Sequence, residues 1–163
     1  MTNNDLLRRL RYALDLNGVI MTEIFALAGY EIGPADVLKF LKKEEEQGFS
    51  ACDDTVMSLF LDGLIVYRRG RQNQSADAVQ PAEGALTNNL VLRKLRIALE
   101  LNDETMLDIL KEAGVSISKS QLSAMFRSVE HRNYKQCGDQ FLRNFIRGLT
   151  LGRKNTAKKN NNP

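Results

Sequence analysis

Cys52 and Cys137 are the residues whose type and position best suit nucleophilic chemistry. Each lies two residues before an aspartate, just ahead of a predicted helix, and a helix N-terminus can lower the pKa of a thiol enough to make it reactive. The neighbouring carboxylate opposes that effect, and neither thiol has a histidine beside it to act as a base. Small buried packing groups are therefore the favoured interpretation of both cysteines. A reactive thiolate is the weaker alternative.

The sequence carries no other pattern that is typical of catalysis or metal binding. It has one histidine, His131, and no closely spaced pair of cysteines, so a zinc site is not expected. A phosphate-binding glycine loop and a Ser-His-Asp arrangement are also missing. We expect no metal and no cofactor, and the sequence favours a non-catalytic protein over an enzyme.

Charge is distributed unevenly along the 163 residues. Residues 1–67 carry a net charge of −5, residues 86–149 carry +3, and the C-terminal segment adds four further cations. A basic half can bind a polyanion, although mutual attraction of the two halves, or ordinary solvated faces, explains the same distribution. Nucleic-acid binding is therefore the alternative prediction, and its candidate residues are Arg127, Arg132, Lys135, Arg143, Arg147, Arg153 and Lys154.

The segment Leu110–Arg127 gives a second, weaker indication of nucleic-acid binding. It contains a short helix, a turn with a glycine and a second helix, as a helix-turn-helix does. The turn is longer than in the usual motif, and two packed helices of any bundle give the same pattern. Major-groove recognition is therefore the less favoured interpretation.

The helices that position these residues belong to a sequence unit that occurs twice. A shift of 85 residues aligns the two copies without a gap, with about 20 identities over about 61 positions. Leu10 then aligns with Leu95, and Phe60 with Phe145. A constant offset through helices and loops alike indicates duplication of one module.

Each copy is predicted to contain four helices. In the first copy they cover about 4–16, about 19–28, a segment from Gly33 to Gly48, and about 54–67. Since no segment alternates as a strand does, we predict an all-α fold of two homologous four-helix repeats packed in a pseudo-two-fold arrangement. The predicted divisions are an acidic repeat over 1–69, a polar linker over 70–87, a basic repeat over 88–150 and a disordered basic tail over 151–163.

Several polar residues and glycines recur in both copies. Arg11 can pair with Asp15 four residues later, or reach Asp54 at the start of the fourth helix. The structural ion pairs predicted on this basis involve Arg11, Asp15, Asp54, Arg96, Glu100 and Asp139, with a binding site as the alternative. Gly63 and Gly148 lie inside the fourth helix of each copy, where glycine is unfavourable, so we expect a neighbouring helix to approach closely there.

Five runs of residues are long and specific: KKEEEQGF (42–49), FLDGLI (60–65), LRKLRIA (92–98), CGDQFLR (137–143) and FIRGL (145–149). They resemble the YehS-like family of bacterial proteins, and the likeness covers residues 3–149. That family carries a domain of unknown function in two tandem copies. The resemblance implies the two-repeat organisation, and it implies no reaction, ligand or catalytic residue.

The sequence favours a non-catalytic binding or adaptor protein that contacts another protein. Nucleic-acid or ribonucleoprotein binding through the second repeat and tail is the alternative. The first twelve residues carry charges within their apolar stretch, and no apolar run approaches the length of a membrane span. We therefore expect a cytoplasmic protein, a monomer or weak dimer, without a membrane partner.

Overall fold

The computed structural model describes residues 1–70 and 84–161. Within these residues the chain forms eight helices and no strand, which confirms the all-α fold class. The helices are α1 (Asn3–Ala13), α2 (Gly18–Leu27), α3 (Pro34–Leu41), α4 (Asp54–Arg69), α5 (Asn88–Ala98), α6 (Asp103–Glu112), α7 (Lys119–Ala124) and α8 (Asp139–Asn160). Most of the predicted linker, residues 71–83, lies outside the described residues, and the pseudo-two-fold arrangement stays a prediction.

The first helices of the two repeats begin and end in the same way. Thr2 and Thr87 cap α1 and α5 by accepting a backbone N–H three residues later, at 3.1 and 3.2 Å. Asp15 and Glu100, just beyond those helices, have φ angles of 54° and 53°. This left-handed conformation ends a helix. It explains why α1 stops at Ala13 and not near residue 16 as predicted.

The third helix is shorter than the sequence indicates. It was expected to continue to Gly48, but α3 ends at Leu41 because the following polar residues bond to one another in turns. The Glu46 carboxylate accepts the Lys43 N–H at 2.6 Å, and the Lys42 ammonium donates to the Gln47 carbonyl at 2.7 Å. Glu44–Glu46 therefore belong to a turn and not to a helix face.

Asn4 holds this turn region against α1. Its side chain is buried, donates to the carbonyls of Phe40 and Ser50 at 2.9 and 2.8 Å, and accepts the Cys52 N–H at 3.0 Å. A buried amide with three partners fixes the position of the chain between α3 and α4. Sequence analysis did not single out Asn4, although its recurrence as Asn89 was the available signal.

Each repeat has a close helix–helix contact at a glycine of its fourth helix. A Cβ added to Gly63 on α4 would overlap the carbonyl oxygen of Ile24 on α2 and lie 2.8 Å from its carbonyl carbon. A Cβ added to Gly148 on α8 would meet Ile109 on α6 in the same way. The prediction that a neighbouring helix approaches these glycines is confirmed, and no other residue type fits there.

The chain divides into two compact units, Met1–Glu100 and Leu101–Pro163. In the first unit α2 packs on α3 and α4, α1 packs on α3, and α5 packs on α4. In the second unit α6 packs on α7 and α8. The first helix of the second sequence repeat therefore lies within the first compact unit.

The contact between α4 and α5, called the seam below, includes three polar contacts at successive positions along the helices. The Asp54 carboxylate accepts the Leu86 N–H at 3.0 Å, Lys94 Nζ donates to Asp62 at 2.6 Å, and Arg69 Nε lies 3.4 Å from Glu100. Partners are 31 or 32 residues apart in each of these contacts, so the two helices run parallel. The Lys94 side chain is only 1% exposed, and its ammonium is neutralised by Asp62.

The predicted disordered tail is wrong for residues 151–160, which continue α8. A helix that has already formed adds residues easily because the cost of its first turn has been met. Lysines in the last turn also interact favourably with the helix dipole. In addition, the Asn155 amide donates to Glu112 at 3.0 Å, which ties the extension to the end of α6.

Gly148→Ala should destabilise the protein by about 3 kcal/mol, because the new methyl group forces α8 away from the backbone of α6. Gly152→Ala is the matched control on the same helix. Nothing lies within 4 Å of a Cβ there, so this variant should gain up to about 1 kcal/mol from helix propensity. Urea unfolding followed by circular dichroism measures both changes, and equal effects at the two glycines would contradict the close contact.

The seam ion pair should respond unequally to loss of its two partners. Asp62→Ala leaves a buried ammonium unpaired and should cost about 3 kcal/mol of unfolding free energy. Lys94→Met should cost about 1 kcal/mol or less, because the Asp62 side chain is 34% exposed and can be hydrated. Urea midpoints of the two variants test this order, and a larger loss for Lys94→Met would refute it.

Candidate binding surface

Neither cysteine is prepared for nucleophilic chemistry. Cys52 and Cys137 are buried, and each Sγ lies near the carbonyl of the next residue, at 3.8 and 3.7 Å. Burial, reinforced by Asp53 and Asp54, raises the pKa of Cys52 to about 12. Burial and Asp139 raise the pKa of Cys137 to about 12 as well. Such thiols stay protonated at neutral pH, in agreement with the packing interpretation.

No metal centre is found in the described parts of the chain, where no three His, Cys, Asp or Glu side chains lie together in a suitable cluster. The one histidine has a local role, since His131 Nδ1 accepts the Asn133 N–H at 3.0 Å. That bond stabilises the turn that follows α7.

The predicted ion pair between Arg11 and Asp15 is wrong. Asp15 lies beyond the end of α1 with a left-handed backbone, so the spacing of four residues no longer places the two side chains on one helix face. Asp54 does not bind Arg11 either. Its two carboxylate oxygens accept from the Asn3 amide at 2.8 Å and from the Leu86 N–H at 3.0 Å, because the start of α1 and not its end is near the start of α4.

The counterparts in the second repeat are distributed along the chain in a related way. Arg96 is half-buried in the last turn of α5, Glu100 is exposed and lies 3.4 Å from Arg69, and Asp139 is the exposed first residue of α8. A negative charge in the first turn of α8 is favourable to the helix dipole. Asp54 and Glu100 therefore serve packing within the first unit.

An open groove of about 280 Å³ lies between the start of α1 and the turn after α3. Its lining residues are Thr2, Asn4, Arg8, Lys43, Glu44, Glu45 and Phe49. Arg8 donates to the Lys42 carbonyl at 2.9 Å, and Asn4 has the three bonds described above. The two innermost polar groups of the groove thus stabilise the fold.

The seven basic candidates lie on different elements and on different faces of α8. Arg127 donates to the Asn133 carbonyl at 3.1 Å and supports the loop after α7. Arg132 and Lys135 are exposed in that loop, and Arg153 is half-buried on a different side of α8 from the other α8 candidates. These four residues therefore lie outside α8, or on a different face of α8 from the remaining three.

The remaining three candidates share one side of α8. Arg143, Arg147 and Lys154 stand at i, i+4 and i+11, and Lys158 follows at i+15. With 3.6 residues per turn these four side chains lie in a line about 22 Å long. This line is called the basic stripe. Sequence analysis left out Lys158 because helical spacing was not applied to a tail that was expected to be disordered.

The basic stripe occupies the face of α8 that corresponds to the seam face of α4. Arg143, Arg147 and Lys154 replace Ser58, Asp62 and Arg69 at the 85-residue offset. In the first repeat this face receives α5, and Val66 on it is buried. In the second repeat Arg147 is exposed and Leu151, the counterpart of Val66, is half-buried. The same helix face therefore carries Ser58 and Asp62 in the first repeat and two arginines in the second, while its last position is a cation in both.

The structure does not favour a helix-turn-helix. Six residues, 113–118, connect α6 to α7, and α7 itself is only six residues long. A recognition helix that enters the major groove is longer and follows a tighter turn. The connection and the length of α7 therefore do not match that motif.

A family model described as "Protein of unknown function (DUF1456)" matches residues 3–70 and 88–154. The chain belongs to this family. The two matched segments coincide with the two sequence repeats, so the family match confirms both the duplication and the resemblance to YehS-like proteins. The family description names no activity, and the arguments about function therefore come from the residues of this chain.

The chain is also similar to "Uncharacterized protein YehS" of Escherichia coli (strain K12). The two are 44% identical over 149 residues, which cover 91% of this chain and 94% of that protein. No solved structure matches the chain at a significant level. In the ranges 1–70 and 84–161, no helix has both the length and the apolar character needed to cross a membrane.

Both thiols should resist labelling in the native protein. At pH 8 a thiol reagent should modify neither cysteine until denaturant is added, since folded Cys52 and Cys137 titrate near pH 12. Between the ordinary thiol pKa of 9.0 and the folded-state pKa of about 12, each thiol of the unfolded chain loses a proton that the folded chain keeps. Stability should therefore fall as the pH rises through that interval.

The matched control for this pH dependence is the double variant Cys52→Ala, Cys137→Ala. Its unfolding free energy, measured in urea between pH 8 and 11, should decline less steeply than that of the native sequence. Rapid labelling of one native cysteine at neutral pH would instead restore the reactive-thiolate interpretation.

Proposed function

We propose that this protein is a non-catalytic binding protein that acts through contacts with another protein. The observation that carries the proposal is that the repeats bury apolar residues at matching positions and differ in charge on their surfaces. Leu10 and Leu95 are fully buried, as are Phe60 and Phe145. The close glycine contacts are also the same. A fold that is kept while its surface charge changes supports a binding role for that surface, because function resides in sites placed on a fold.

The chemistry of the described residues supports a non-catalytic role. The two thiols are buried and protonated at neutral pH. The innermost polar groups of the groove, Arg8 and Asn4, are bonded to backbone carbonyls. The proposed location is the cytoplasm, where two free cysteines remain reduced. The proposed state of the free protein is a monomer or weak dimer.

Nucleic-acid binding is the second candidate function, and the basic stripe is the observation that favours it. Four cations in a line about 22 Å long match the spacing at which a helix can neutralise successive phosphates. Binding of that kind weakens steeply with salt, because it depends on the release of counterions. Salt dependence therefore separates the two candidates.

Crosslinking capture from native bacterial lysate tests the proposed function. The tagged full-length protein should recover one protein in near-equal amount, and nuclease treatment before capture should not reduce the yield. RNA and DNA are measured in the same eluate. Recovery of nucleic acid alone, in an amount that falls steeply between 50 and 200 mM salt, would replace the proposal with the second candidate.

The matched control is Arg147→Asp compared with Arg11→Asp, which makes the same charge change on an exposed residue of the first repeat. For a nucleic acid, loss of Arg147 should lower the salt slope by about one. An eluate that contains neither protein nor nucleic acid, in repeated captures, would reject both functions.

A further inference from the structure

We propose that the outward face of α8 is the docking site for an acidic helix of a partner protein, which lies parallel to α8 as α5 lies parallel to α4. The inference rests on the proposed function and narrows it to one surface and one partner chemistry.

The seam shows what the outward face of a fourth helix does in this fold. On α4 it accepts a parallel helix, with contacts at Asp54, Asp62 and Arg69. Packing against α5 accompanies burial of Val66 and almost complete burial of Lys94. The face is thus shaped for a helix and selects it by charge at defined positions.

The same face of α8 has the same backbone setting. The contact at Gly148 fixes α8 on α6 as the contact at Gly63 fixes α4 on α2, so the residues that precede the two glycines point away from α6 and α2 in the same way. Those residues are Arg147 and Asp62. Half-buried Leu151 takes the place of Val66 and supplies an apolar contact beside the cations. The face of α8 therefore keeps the backbone setting of the seam face, and its charge is reversed at the central position, where Arg147 replaces Asp62.

The sign of the charge determines the partner. On α4 a carboxylate meets the ammonium of Lys94, so on α8 the guanidinium of Arg147 requires a carboxylate at the position of Lys94. On α4 the partner residue lies 31 or 32 positions later in the chain, and the same offset gives the partner positions opposite Arg143, Arg147 and Lys154. A complementary segment carries Asp or Glu at i, i+4 and i+10, with apolar residues between them that pack on Leu151.

A second copy of this chain is a poor occupant. The counterpart of α5 is α1, and there Arg9 stands in the place of Lys94, so docking would bring it against Arg147 of the other copy. Arg9 is moreover already paired with Asp5 at 2.9 Å. Nucleic acid is also less well matched, because the stripe has no aromatic side chain on which a base can stack and Leu151 gains nothing from phosphates.

The test uses a probe built from the seam itself. A labelled peptide of residues 84–101 with Leu90→Glu and Lys94→Glu, which keeps the native Glu100, places carboxylates opposite all three cations. Fluorescence anisotropy with the full-length protein should show saturable binding. Arg147→Asp should weaken that binding on the order of tenfold, and this exposed variant should keep the native circular dichroism spectrum.

The matched control is Lys159→Asp, which makes the same charge change on α8 at a position about 120° around the helix axis from Arg147. It should leave the affinity within about twofold of the native value. The peptide with native Lys94 and the other two glutamates should show the opposite preference and bind Arg147→Asp more tightly than the native protein. Such an exchange of specificity is not expected from general attraction to a polyanion.

Three outcomes would overturn the inference. They are equal binding of the probe by native protein and Arg147→Asp, displacement of the probe by an RNA oligonucleotide that binds more tightly, and a dimer in sedimentation that Arg147→Asp dissociates. If lysate capture yields a protein that Arg147→Asp retains in full, the docking surface is wrong while the proposed function stands. If capture yields no protein, the proposed function itself fails.

Discussion

The contact between a helix backbone and a glycine is the constraint on which the rest of this structure depends. At Gly63 and Gly148 the carbonyl of a neighbouring helix occupies the space where every other residue has a side chain. A contact of this kind fixes both the separation of two helices and the rotation of each about its axis. Phe60 and Phe145 are consequently buried, whereas Asp62 and Arg147, which directly precede the glycines, lie on the outward face.

This constraint explains why the two copies bury apolar residues at matching positions while their surfaces differ. Residues that face the glycine contact cannot change without moving a helix, and a packed interior tolerates such movement poorly. Residues on the outward face of the fourth helix meet no such limit. In the first repeat that face became a seam with α5, held by Asp62 and Lys94. In the second repeat it became a row of cations on α8.

The sequence was sufficient to predict the all-α class, the duplication and the role of the two glycines. Each of these depends on a periodic or repeated signal, and a repeat doubles every such signal. The end of α3 was not predictable in this way, because turn bonds among Lys42, Lys43 and Glu46 compete with helix propensity at short range. The helical extension of α8 was missed because composition alone describes residues 151–160 as polar and does not include the helix that precedes them.

The candidate site was only partly predictable from the sequence. Comparison of the copies identified Arg143 and Arg147, but it did not show that the positions they occupy accept a helix in the first repeat. Lys94 is an example of what sequence reasoning misses, since an exposed residue is the ordinary expectation for lysine and its burial depends on a carboxylate 32 residues away. Asp15 and Arg11 show the reverse error, in which favourable spacing was interrupted by one left-handed residue.

The parallel seam also shows a way in which further modules of this kind can be joined. A module whose fourth helix accepts the first helix of the next module is, in geometrical terms, the unit of an open-ended fibre. On α8 that face carries Arg147 in place of Asp62, so a cation at the Lys94 position of a further module would meet an arginine and not a carboxylate.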